Sequence, residues 1–360
     1  MNQALDEALE RLRGTGAEVK GGGDPNHGPM AAEALVALGR ADAVVKWTDR
    51  YRQVLGAMPA ATAPIDGENW CGALGTISRL GDWVAFFRAK LAEGPWPAVF
   101  AEWAGRLVRG TVSAGSHGLI RTAHAIRALE EAENPLRIEE LGVALAYWAA
   151  YYREFPGVPR FAGTLDFDAA LRQIPLIMRG QARRGMPREV ILHAAKSSPE
   201  LPAAIDRVAE PASVDAALSA LTEAGARLYL ANATRQPLVL LHTVTAPAAL
   251  RLLLPHLPAA MRHTALAYVW QVVAAECAVY ADEIAGDHYD ATPLERSVLV
   301  EWAVDTADPH AIKLSEACLR EFRLNPRPAY LAAAGDWVTR LRQSRSWSDA
   351  ELAAAGIAFR

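Results

Sequence analysis

The 360-residue chain is poor in cysteine: it has three, Cys71, Cys277 and Cys318, and no Cys-x-x-Cys pair. An odd, scattered set of this kind excludes a disulfide framework and a zinc knuckle, and it suits a reducing compartment. Charge of one sign is also missing, since 37 Lys and Arg face 41 Asp and Glu for a formal net charge of −4. That balance argues against the electrostatic footprint of a nucleic-acid binder or of a protein held on an anionic membrane. The most basic cluster, Gln181-Ala182-Arg183-Arg184-Gly185, holds only two adjacent cations. Long apolar runs are lacking too: the best, Thr264 to Ala281, is interrupted by Gln271 and Glu276 and reads as a core helix. The start, Met1-Asn2-Gln3-Ala4-Leu5-Asp6-Glu7, is acidic and helical in pattern, unlike a secretory signal. The expectation is a cytoplasmic protein with neither nucleic acid nor membrane among its partners.

Alternating strand patterns are nearly absent, with Gly105–Val112 and Gln236–Leu241 the only tempting runs. Helical periodicity is abundant instead. Apolar residues recur at three and four positions over Ile138–Phe155, Ser213–Leu228, Leu294–Thr306, Ala311–Phe322 and Tyr330–Ser344. Helices of ordinary length then number about a dozen to twenty, so the fold class expected is all-α. No fixed-period repeat is visible, and low complexity is limited to Gly21-Gly22-Gly23. A soft boundary near Pro199–Pro211 has candidate ligands on both sides, which favours one large multi-helix domain over residues 1–360 around a central metal site, with 1–20 as an N-terminal extension.

Four histidines stand in distinctive settings: Asn26-His27-Gly28-Pro29-Met30, Ser116-His117-Gly118, Leu241-His242-Thr243-Val244-Thr245 and Asp308-Pro309-His310-Ala311-Ile312-Lys313. Buried imidazoles need partners, and several together ask for a shared one, most commonly a metal ion. Around His27, a capping-type asparagine, a glycine and a proline mark a helix start; a capping or surface histidine is the plain alternative. His117, Arg121 and His124 fall on one helix face, where the arginine suits an anion and the alternative is pairing with acidic neighbours. Thr245 is a plausible N-cap for Pro247–Leu254, with His242 buried just ahead of it or satisfied within the core. His310 and Lys313 share a face one turn apart. A desolvated lysine can lose its charge and form a carbamate that offers oxygen ligands; the alternative is an ion pair with Glu316. His193, His256, His263 and His288 lack such settings.

Several known constellations are missing. There is no H-E-x-x-H, no E-x-x-H pair of the di-iron bundles and no G-x-G-x-x-G opening a helix. Ala114-Gly115-Ser116-His117-Gly118 imitates a nucleophile elbow, but that motif needs an α/β sheet around it.

The histidine settings, with Gly81-Asp82-Trp83 and Phe86-Phe87 and in this order along the chain, resemble the questin oxidase-like family over about residues 20 to 340. The resemblance implies an all-helical, dioxygen-dependent oxygenase that acts on anthraquinone-type or related aromatic polyketides by ring cleavage or Baeyer–Villiger-like oxidation. It also implies mononuclear non-haem Fe(2+) held by His27, His117, His242 and His310, with Lys313 in carboxylated form. Arg121 and His124 are expected to steer an anion or move a proton, although Arg121-Thr122-Ala123-His124 departs from the fungal pattern of another histidine and a tyrosine. The need for a reductant such as NADPH stays open, as does the oligomeric state. Imidazole would also accept zinc. The competing readings are therefore a zinc-dependent hydrolase or lyase on the same ligands, and a non-catalytic helical protein that binds a small molecule.

Overall fold

The computed structural model describes residues 2–178, 187–284 and 291–344; Gln181-Ala182-Arg183-Arg184-Gly185 and His288 lie outside them. The protein is all-α, 69% helical with almost no strand. Its chain forms two compact units, Met1–Glu154 with Leu252–Met261, and Phe155–Arg251 with Arg262–Arg360.

The first unit holds α1 (Asn2–Leu12), α2 (Gly28–Ala37), α3 (Ala41–Tyr51), the short α4 (Trp70–Ala73), α5 (Leu80–Glu93), α6 (Trp96–Leu107), α7 (His117–Glu131) and α8 (Pro135–Ala150). α8 begins where the sequence supplies both start signals: the Asn134 side chain accepts from the Arg137 amide, and Pro135 occupies the first turn. α8 packs against α5 and α7, and α2 lies along α7. Gly118 lets α7 come this close, because a Cβ there would stand 2.6 Å from Cγ of Trp148, whose indole donates to Gly110 O at 2.9 Å. The unexposed Arg137 guanidinium donates to Asp6 at 2.7 Å and to Ala128 O at 2.6 Å, joining α1 and α7 to α8. A second cluster sets Trp83, Phe86 and Phe87 edge to face against Trp103, with Trp83 and Phe87 stacked on each other and Arg106 over Trp70 and Trp103. α1 belongs to this core, with Leu5, Leu9 and Leu12 buried.

One feature of this unit has no counterpart in the sequence pattern. β1 (Thr15–Val19) and β2 (Leu55–Ala57) pair antiparallel across the intervening α2 and α3. Both are too short to show an alternation, and their partners lie far apart in sequence.

The second unit contains α9 (Phe167–Leu171), α10 (Pro187–Lys196), α11 (Glu200–Ile205), α12 (Val214–Asn232) and α13 (Pro237–Leu240). These are followed by α14 (His242–Leu253, in this unit through Arg251), α15 (Arg262–Tyr280), α16 (Arg296–Thr306), α17 (Pro309–Leu324) and α18 (Pro328–Gln343). α18 packs on α12, α16 and α17. α15 is buried on every face from Ala265 to Tyr280, which explains its lack of a polar stripe. Gly225 of α12 makes another close approach: a Cβ there would meet Thr243 O at 2.2 Å, and Thr243 Oγ1 donates to Gly225 O at 3.0 Å.

Neither of the two alternating runs is a strand: Gly105–Val112 is the end of α6, a 3-10 turn and a further turn, and Gln236–Leu241 is the short α13 with a bend before it and a turn after it. One local expectation is corrected. α14 starts at His242 and carries Pro247 inside it, so Thr245 is not an N-cap. Proline deprives the Thr243 carbonyl of its helical partner, and it is at this carbonyl that the α12 backbone comes closest at Gly225. The helical stretch Pro237–His256 is long and apolar enough to cross a membrane by length and composition, but 89% of its most apolar window is buried, as in a core helix.

Candidate metal centre

His27 and His117 meet in the first unit because α2 and α7 start side by side. His27 occupies the N-cap of α2, with Pro29 in the first turn. It does not cap with its own side chain. Asn26 does the local work instead, accepting from the Gly28 amide at 2.9 Å and donating to Gly16 O at 2.8 Å. The imidazole is thereby left free of capping duty and is fully buried. The Tyr51 hydroxyl accepts from the His27 amide at 2.9 Å, and Asp24 Oδ1 lies 3.4 Å from Nε2. The ring stands edge-on to that of His117, with centroids 4.8 Å apart.

His117 is delivered by an unusual backbone. Ala114, Gly115 and Ser116 have φ of 52°, 61° and 64°, three consecutive residues in left-handed conformation. Two of them carry a Cβ, at roughly 1–2 kcal/mol each. This turn brings Ala114 O to 2.8 Å from His117 Nδ1. A carbonyl only accepts, so Nδ1 carries the proton and Nε2 presents its lone pair, the tautomer a metal requires. Backbone strain of this kind concentrates where geometry serves a site.

His242 and His310 form the corresponding pair in the second unit, with ring centroids 5.8 Å apart at 83°. His242 Nδ1 lies 3.1 Å from Val239 O, which fixes the same tautomer as in His117. His310 is in the first turn of α17, after Asp308, which caps the helix by accepting from the Ala311 amide at 2.7 Å. Burial pushes the Asp308 carboxyl up, against the opposing pull of that amide, Trp337 and Lys313. Lys313 is buried one turn on. Glu316, one turn further along α17, is in an ion pair with Arg320 at 3.1 Å.

Arg121 and His124 follow His117 on α7, and each meets a carboxylate. Arg121 forks onto Glu140 of α8, through Nε at 2.6 Å and Nη2 at 2.9 Å. Its Nη1 is buried and has no hydrogen-bond partner among the described residues. His124 Nδ1 lies 2.6 Å from Glu33 of α2, which also binds Arg127. Burial raises the Glu33 carboxyl, but Arg127 and His124 outweigh it and hold the group below its ordinary value.

Glu33 was missed from sequence, although it is the one charged residue of α2, Gly28–Ala37. Gly81-Asp82-Trp83 is explained by packing. A Cβ at Gly81 would stand 2.5 Å from the Pro59 and Ala60 carbonyls, Asp82 accepts from the Thr62 and Ala63 amides, and Trp83 is core. His256 pairs with Glu130 at 2.8 Å, and His263 Nε2 lies 3.1 Å from Pro211 O. The G-x-S-x-G-like stretch is a turn and a helix start with no strand before it, so the elbow geometry is absent there.

No protein-family model matches the chain, and no curated protein matches it.

Proposed function

We propose that the protein is a non-haem Fe(2+)-dependent oxygenase acting on an aromatic, anthraquinone-type substrate with O2, and that His27, His117, His242, His310 and Lys313 supply one metal centre. The observation that carries this reading is that the four histidines occur as two buried pairs, with His117 and His242 each held by a backbone carbonyl in the Nε2-acceptor tautomer. Three of them, His27, His117 and His310, are buried imidazoles that can each offer one nitrogen. Imidazole nitrogens, with a carbamate oxygen on Lys313, form an acceptable donor set for ferrous iron. The iron, when bound, supplies the activation of O2.

The chain's own residues do the rest. Carbonyls at Ala114 and Val239 orient two of the imidazoles, and the left-handed turn sets the position of His117. Arg121 keeps an unspent Nη1 edge for a phenolate or another anion, while Glu140 holds the guanidinium in place. His124, oriented by Glu33, is the group that moves a proton. The ring-cleaving or Baeyer–Villiger-like outcome and the cytoplasmic setting belong to the same proposal.

The test is O2 uptake by iron-reconstituted protein with a hydroxyanthraquinone, beside the zinc-loaded protein under anaerobic conditions. Uptake that requires both iron and the quinone supports the reading. Turnover with zinc and without O2 would establish the hydrolase or lyase. Unchanged metal content and function in His27→Ala and His310→Ala would leave only a helical binding protein.

A further inference from the structure

Among the described residues, buried carboxyl groups come with partners, with one exception. Glu33 has His124 and Arg127, Glu321 has Arg251 and Arg320, Glu316 has Arg320, Asp82 has Arg79 and two amides, and Asp308 has an amide and Trp337. Glu276 has none among the described residues: no hydrogen bond or ion pair reaches it, and its Oε2 is enclosed. It keeps 2% of its surface exposed. The residues one turn to either side on α15, Val272, Val273, Val279 and Tyr280, are all buried, and α15 contains no second acid. α15 packs against α13, the turn that leads directly into His242, so Glu276 stands on the helix lining that segment.

An enclosed polar group with no partner is costly, and a leucine would fill the same space without that cost. A group of this kind is therefore explained by a molecule that binds to it. Burial alone pushes its carboxyl well above the ordinary range, which favours the protonated form, with an O–H to donate. Its complement is an acceptor oxygen on an otherwise apolar molecule.

We propose that the Glu276 carboxyl is the polar anchor of a binding site for an apolar molecule bearing a carbonyl or phenol oxygen. The inference rests on the oxygenase reading only for placing that molecule as the substrate, since the site itself needs no metal. A buried neutral acid donating to a carbonyl is established chemistry in other enzymes.

The experiment titrates the protein's tryptophan fluorescence with hydroxyanthraquinone and, for shape alone, with anthracene, using wild type, Glu276→Gln and Glu276→Leu. Each is measured metal-free and iron-loaded. Glutamine retains a donor and should bind the quinone about as well as wild type. Leucine should weaken the quinone about tenfold and leave anthracene unchanged, because the loss is that of one buried hydrogen bond. The infrared carbonyl band of the protonated Glu276 carboxyl, identified by its absence from Glu276→Gln, should move to lower frequency with the quinone and not with anthracene. That band keeps the test decisive if the leucine variant does not fold. Equal binding of the quinone by wild type and Glu276→Leu, binding of neither probe by wild type, or an unmoved band would overturn the proposal. So would loss of iron from Glu276→Gln with quinone binding intact, which would make the residue a metal ligand. Failure of the protein to bind iron at all would count against the oxygenase reading alone.

Discussion

Glu276 also makes a measurable demand on stability. A carboxyl whose folded-state value is raised stays protonated in the fold over a range where the unfolded chain has already released its proton. Stability therefore falls as pH rises from the ordinary value of 4.5 toward the raised one. The slope for one proton is at most about 1.4 kcal/mol per pH unit, reached where the unfolded chain has released the proton and the fold still holds it. Glu276→Gln removes that titration while keeping size and polarity. Urea denaturation of wild type and variant at half-unit steps from pH 5 to pH 7 should show two curves that diverge, the variant gaining as pH rises. Taking the difference cancels every other titrating group. Parallel curves would refute the reasoning, because they would mean that Glu276 ionises in the folded protein as it does in water.

Three further outcomes are expected. Gly118→Ala should destabilise the first unit by about 1–3 kcal/mol, since its Cβ would meet Trp148 at 2.6 Å and the indole is tied to Gly110 O; thermal denaturation and near-ultraviolet circular dichroism would register it. Glu33, whose carboxyl is held low, stabilises the fold above pH 4.5 and loses that contribution as pH falls. Glu33→Gln should therefore cost about 3 kcal/mol at pH 7 in a denaturant titration, with the difference shrinking in acid. Ala114→Gly relieves a positive φ and should leave stability within about 1 kcal/mol of wild type while loosening His117. Calorimetric titration should then show weaker metal binding without a matching loss of fold.

The all-α class and most helix positions were legible because proline and short polar side chains mark the starts. Asn134-Pro135, Ser213 and Asp308-Pro309 each sit where a helix begins and each caps it. α14 was not legible, because Pro247 is locally a helix-start signal and only packing against Gly225 overrides it. The strand pair was hidden by its non-local partners. In the site, the histidines announced themselves by their settings, and the structure brings together His27 with His117 and His242 with His310. The left-handed run could not be read, since alanine disfavours the conformation it adopts at 114. Glu33 and Glu276 were readable in retrospect: each is the lone acid of a largely apolar helix, a place where a carboxyl must have a reason.

The central claim, one iron centre drawing on both histidine pairs, is tested most directly by metal stoichiometry after anaerobic reconstitution with ferrous iron. One iron per chain is expected in wild type, with a loss of most of it in both His27→Ala and His310→Ala and each variant still folded by circular dichroism. Wild type that binds no iron, or variants that each keep a full equivalent, would contradict it.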